Sequence, residues 1–184
     1  MSLSRTHWLT PAALLLLAPL PGAAQGIPFS QRASVAQTVA FTHFTIEYGR
    51  PTARGRAIFG DSGIVKWDRL WHPGADSATR IAFDHDITFQ GKPLAAGEYS
   101  LWTIPRANGR WTVIVSRAAH VFHTPYPGEG SDVMRVEVQV EQGAHMESLA
   151  YYFPAVLRDQ ATLRLHWGDV ILPLRLTAPF RPPA

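Results

Sequence analysis

From Asp132 the chain reads DVMRVEVQVE, so that Met134, Val136, Val138 and Val140 alternate with Arg135, Glu137, Gln139 and Glu141. Successive strand residues point to opposite faces, and a period of two with one apolar face predicts a half-buried antiparallel strand. The same alternation recurs at Phe44, Ile46 and Tyr48, at Ile81 and Phe83, at Leu149, Tyr151 and Phe153, and at Leu163, Leu165 and Trp167. Gly168-Asp169 predicts a two-residue hairpin turn, with Val170, Leu172, Leu174 and Leu176 returning along the partner strand. Asn108-Gly109 predicts another, between a segment ending near Ile104 and a strand Trp111 to Val115. Gln90-Gly91 and Ala96-Gly97 mark further turns. No stretch has helical periodicity, and at most one helical turn fits near Ser116 to Val121. About ten short strands with closely spaced turns predict an all-β antiparallel sandwich, with jelly-roll and immunoglobulin-like topologies equally open.

The first residues break this pattern. MSLSRTHWLTPAALLLLAPLPGAAQ has an early arginine, an apolar run around Leu14 to Leu17 and small residues at Gly22, Ala23 and Ala24. That layout predicts a secretory signal peptide over residues 1–24. The run is shorter than the ~20 residues that span a bilayer. No second such run follows, and no cysteine stands at the cleavage point to carry a lipid anchor. A free periplasmic or secreted protein is therefore expected, without a transmembrane segment. The remainder divides into an extended N-terminal segment over 25–37, a single sandwich domain over 38–176 and a Pro-rich tail over 177–184 outside the core.

Composition narrows the chemistry. A mature chain of about 160 residues buries enough surface to need no disulfide. The absence of cysteine excludes thiol chemistry and cysteine metal sites. The formal net charge is +3 and comes from arginine, since Lys66 and Lys92 are the only lysines. No long basic stripe is present, so a nucleic-acid partner is not expected.

The basic residues gather in YGRPTARGRAIFG, which holds Arg50, Arg54 and Arg56 and no carboxylate. Pro51 keeps Arg50 extended and Gly55 lets the chain bring Arg56 back beside it, with Arg54 turned to water. Two guanidinium groups so placed suit a carboxylate, phosphate or sulfate. Tyr48, Trp71 and Trp102 offer flat surfaces beside them. The alternative is internal: the arginines satisfy loop carbonyls and pair with Asp61, Asp76 or Asp84, with Asp76 the expected acceptor for Arg50. Ion pairs in loops are common and worth little, which favours this alternative. Trp67, Trp111 and Trp167 stand at apolar strand positions and are expected in the core.

Histidines supply a weaker lead. His120 and His123, with His72 or the cluster Asp84-His85-Asp86, have donor types that zinc or iron accepts. The i, i+3 spacing shares a face only in a helix, and the His–Glu motif of metalloproteases is absent. Solvated loop histidines are the commoner outcome, so neither metal nor cofactor is expected. No serine occupies a Gly-x-Ser-x-Gly elbow, and no Gly-rich phosphate cradle opens a helix. Asp84 and Asp86 sit on a corner where such residues turn the chain.

Three segments carry a resemblance. YGRPTARGRAIFG, WHPGADSAT at 71–79 and GEYSLWTIP at 97–105, followed by Trp111, resemble a bacterial exported family known as domain of unknown function 2911 (DUF2911). DVMRVEVQV and the Trp167 hairpin fit it as well. The middle segment departs from the family's usual Trp-Arg-Thr-Gly-Ala-Asn-Glu-Ala-Thr at His72, Pro73, Asp76 and Ser77, which alters any polar site built on the missing Arg, Asn and Glu. The resemblance implies an exported β-rich domain with no assigned reaction. The expected function is non-catalytic binding of a small molecule or a periplasmic protein, with Tyr48, Arg50, Arg56, Trp71, Asp76 and Trp102 as candidates. The alternative is a hydrolytic or metal-assisted periplasmic enzyme using His72, His120 and His123. A purely structural role is a third reading. Convergence of the three segments on an open cleft favours binding, and convergence on a buried salt-bridge cluster favours structure.

Overall fold

The computed structural model describes residues 29–180. The signal peptide expected over 1–24 and the last residues of the tail lie outside the described residues. The elements are β1 (Gln31–Val39), β2 (Thr42–Arg50), β3 (Arg80–Phe83), β4 (Ile87–Phe89), β5 (Lys92–Leu94), β6 (Gly97–Ile104), β7 (Arg110–Ser116), β8 (Asp132–Gln139), β9 (Glu141–Tyr152) and β10 (Gln160–Thr177). They form a six-stranded sheet in the order β1-β2-β3-β6-β7-β8 and a four-stranded sheet in the order β5-β4-β10-β9. All pairings are antiparallel, and the two sheets make a sandwich. Among the described residues no helix is long and apolar enough to cross a membrane.

Alternation decides which side chains meet. Phe44, Ile46 and Tyr48, Ile81 and Phe83, and Met134, Val136 and Val138 come from the larger sheet. Leu149 and Tyr151, Leu163, Leu165 and Trp167, and Leu172, Leu174 and Leu176 come from the smaller. They bury one another in a single core, the dominant favourable term in such a fold.

β10 folds back on itself at Gly168-Asp169. A straight strand of its length would hold its ends roughly 60 Å apart, yet the Ala178 N–H donates to the Asp159 carbonyl at 2.8 Å. Gly168 has φ 58°, which glycine adopts without strain. The first arm pairs with β9 (Arg164↔Tyr152) and the second with β4 (Leu176↔Phe89). β9 crosses the hairpin tip at Gly168↔Met146, with register shifts on either side. Counting back from Asp159 and Ala178 sets Thr162 opposite Arg175 and Arg164 opposite Pro173 on the outward face.

Three expectations are corrected. Residues 117–121 form bends, and the helical turn is a 3-10 turn at Glu129–Ser131. The Ser116 hydroxyl accepts from the Ala118 N–H, and the Arg117 N–H donates to the Ser131 carbonyl, so the local bonds close a loop. Residues 31–37 are extended as expected, but they belong to the sheet as β1, with Ala33 and Val35 against the core. The tail is seated at its start: Ala178 is buried, and the Phe180 ring lies 5.9 Å from Phe41 with the Arg158 guanidinium 3.4 Å above it.

A second, smaller apolar cluster sits on the outer face of the six-stranded sheet. Ala78, Trp102 and Ile114 are covered there by Val121 and Tyr126 of the strap over residues 117–128. The strap is fastened by Ala78 N–H to the Val121 carbonyl, His123 N–H to the Asp76 carbonyl, and the Tyr126 hydroxyl to Asp132.

Candidate functional site

The three quoted segments meet, and they meet in packed interior. The position of a Cβ on Gly49 lies 2.1 Å from the Ala75 carbonyl oxygen, so the first segment touches the second where only glycine fits. The Pro73 carbonyl accepts from the hydroxyls of Thr79 (2.8 Å) and Tyr151 (2.9 Å). Trp71 and Thr103 exchange backbone hydrogen bonds at 2.8 and 2.7 Å, which ties the second segment to the third. The Tyr48 hydroxyl accepts from the Tyr151 N–H, and the two rings meet edge to face at 4.8 Å. Burial pushes the Tyr151 phenol well above its ordinary pKa.

The arginines bind carbonyls. Arg50 Nε donates to the Leu149 carbonyl at 3.0 Å, and Arg56 donates to the carbonyls of Ala53 (2.9 Å) and Thr52 (3.0 Å). Arg54 lies 4.8 Å over the Phe29 ring. The expected Arg50–Asp76 pair is not formed. Asp76 has φ 62°, a conformation that Asp and Asn tolerate, and its carbonyl accepts from the His123 N–H. That backbone requirement explains why an aspartate can stand where the family usually has asparagine. Trp71 is wedged among Phe59, Trp111 and Trp167, with ring centroids 6.0 to 6.4 Å away. Trp102 is 1 % exposed on the opposite face of the sheet, donating to the Ser100 hydroxyl at 2.8 Å. Tyr48 and Trp71 thus pack into the central core and Trp102 into the cluster on the opposite face of the sheet, and the three do not share a cleft.

Of the histidines, two come together. His72 and His123 stack with centroids 5.4 Å apart and planes 16° apart. His72 is buried with its Nε2 unpartnered, and burial, then the neighbouring His123, lowers its pKa to about 4 against a hydrogen bond to the Ala75 backbone. His120 stands elsewhere, 2.6 Å from a Glu98 oxygen that also pairs with Arg80. The Arg80 and His120 hydrogen bonds hold the Glu98 carboxyl below its usual range. Among the described residues no group of three or more His, Asp or Glu is arranged to hold a metal. Asp84 accepts from the His43 N–H and Asp86 from the Ala96 N–H, so both fix corners.

A groove lies elsewhere, on the outward face of β10. It consists of two joined cavities of about 330 and 460 Å³ that share Gln90, Ala155, Thr162 and Arg175. Gln90 seals one end, its backbone N–H donating to the Arg175 carbonyl and its side chain to the Pro173 carbonyl. β8 forms the facing wall with Glu137, Val138 and Gln139. Arg164 pairs with Glu141 at 2.7 Å through Nη2, while its Nε is buried without a partner. The Arg175 side chain is exposed and has no partner among the described residues. No sequence motif marks this place. The only signal was the polar parity of Thr162 and Arg164 against Pro173 and Arg175 across the hairpin.

The sequence model of a family described as "Protein of unknown function (DUF2911)" matches residues 30–176, from the residue before β1 to the penultimate residue of β10. The chain belongs to DUF2911. No curated protein and no solved structure matches it. The three segments 48–60, 71–79 and 97–105 lie in the packed part of the sandwich. The groove residues fall within the matched span but outside those three segments, and the further match DVMRVEVQV in β8 forms a groove wall.

Proposed function

We propose that this DUF2911 protein is an exported, non-catalytic binding domain that takes a ligand with an anionic group in the groove between β8 and β10. The observation that carries the reading is the Arg175 guanidinium, which lines both cavities of the groove, is exposed and has no partner among the described residues. A guanidinium with no carboxylate beside it is a ready partner for an anion, which it can hold through two parallel hydrogen bonds. The groove replaces the Tyr48–Trp71–Trp102 side as the candidate, because that side is filled by its own side chains.

Export rests on the leader. Mass spectrometry of the protein recovered from its native host is expected to find Gln25 as the first residue, and an intact Met1 would contradict it. Binding is tested by thermal unfolding of the mature protein with sulfate, phosphate, acetate and glutarate. A ligand present at 100 times its Kd adds about 2.7 kcal/mol. At least one of these anions is expected to raise Tm, and Arg175→Gln is expected to remove that rise while leaving Tm without ligand within about 1 °C. A rise of equal size in Arg175→Gln, or none with any anion, would refute the groove as an anion site.

A further inference from the structure

We propose that the groove receives an extended acidic peptide, which adds as a seventh strand along the free edge of β8. This rests on the reading of the groove as an anion site and names the partner. β8 pairs with β7 and ends the six-stranded sheet. Its backbone parity is fixed at two points. The Val140 N–H donates to the Gly109 carbonyl, which turns even-numbered residues toward β7. The Arg135 carbonyl accepts from Lys92 Nζ at 3.4 Å, which turns odd-numbered residues outward. The register runs unbroken from Val115↔Met134 to Trp111↔Val138. The N–H and C=O groups of Glu137 and Gln139 therefore point away from β7 into the groove.

The lining agrees. Glu137, Val138 and Gln139 are consecutive, and side chains on one strand face alternate, so three in a row can line a cavity only through the strand's edge. An edge left open is a template for another strand, and proteins usually blunt it. Here β5 is short and carries Pro93, while β9 is covered by the segment Pro51 to Ala53, which donates and accepts backbone hydrogen bonds along it. β8 has no proline, and among the described residues no backbone segment pairs with its edge over Glu137 to Gln139.

Charge selects the side chains of the added strand. Glu137 is engaged on the outer face by the Thr112 hydroxyl and Arg106, and Glu141 by Arg164. What remains unpaired across the groove among the described residues is positive, the Arg175 guanidinium. A peptide whose main chain pairs with Glu137 and Gln139 would lay a carboxylate against it, with the exposed Leu157 beside its apolar residues. A free small anion would use Arg175 and ignore the edge.

The probe is acetyl-Val-Glu-Val-Glu-Val-Glu-amide, titrated to millimolar concentration into the 15N-labelled mature protein. The amide signals of Glu137 and Gln139 are expected to shift, and their hydrogen exchange to slow by about tenfold, more than those of Val136 and Val138. Arg175→Gln is expected to weaken binding by about tenfold, the scale of one charge-assisted contact. A peptide N-methylated at every residue, and one with lysine for glutamate, are expected not to bind. Unmoved Glu137 and Gln139 amides, or equal binding of the N-methylated peptide, would overturn strand addition. If sulfate or glutarate still stabilises the protein through Arg175 in that case, the anion groove stands and only the peptide partner fails.

Discussion

Gly49→Ala should leave the protein unfolded. A Cβ there would lie 2.1 Å from the Ala75 oxygen, 2.8 Å from its carbonyl carbon and 3.1 Å from its Cα. All three are backbone atoms, so no rotamer change relieves the overlap. β2 would have to part from the 72–76 segment, and that segment holds Pro73, which the Thr79 and Tyr151 hydroxyls both use. The expected loss exceeds about 4 kcal/mol, the range reached only by such defined defects. Gly74→Ala makes the comparison. Its Cβ would meet the Thr79 hydroxyl at 2.6 Å, a side chain that can turn away by giving up its hydrogen bond to Pro73, for about 1–3 kcal/mol. Urea unfolding followed by circular dichroism separates the two, and a Gly49→Ala protein within about 1 kcal/mol of wild type would contradict the packing of the two segments.

Acid should weaken the fold through His72. His72 titrates at about 4 when folded, against 6.5 for the free side chain. Below pH 6.5 the unfolded chain takes up a proton that the folded chain refuses. Stability is therefore complete above 6.5 and is lost as pH falls toward 4. The full difference is roughly 3 kcal/mol. Hydrogen bonds from Arg80 and His120 hold Glu98, and those from the Arg54 N–H and His145 hold Glu147, below the usual glutamate range, so their contributions are lost only at lower pH. His145, raised by its hydrogen bonds to Glu147 and Asp169, contributes stability that is complete below 6.5 and lost as pH rises through its folded value, outside this window. His72→Phe keeps an aromatic ring beside His123 and Trp102 and removes both the titration and the orphan Nε2. Its stability is expected to vary little between pH 6.5 and 4.5, where wild type declines. Parallel curves would show that another group is responsible.

These two effects also mark where reading the chain succeeds. Strands with a clean period of two, such as Met134 to Val140, disclose their faces because burial acts on every second residue. Gly168-Asp169 discloses its hairpin because a positive φ needs glycine. Trp102 shows the limit: its place beside a turn gives no sign that residues 117–128 pass over it and bury the outer face of β6. Arg50 looked like a ligand clamp because its acceptor, the Leu149 carbonyl, is 99 residues away. The groove was invisible for the same reason. It exists only because β8 and the outward face of β10 approach each other, and neither Arg164 nor Arg175 differs in sequence from an ordinary strand arginine on a solvated face.

The fastening of β2 to β9 sets the order in which this chain can fold. Tyr48 meets Tyr151 across 103 residues, and Arg50 reaches Leu149 across 99. Loop closure over such distances must come before these contacts give any return, so β1 to β8 can pair as a sheet while its inner face at Tyr48 stays uncovered until β9 exists. A chain synthesised from its N-terminus therefore completes its core only after most of it has been made.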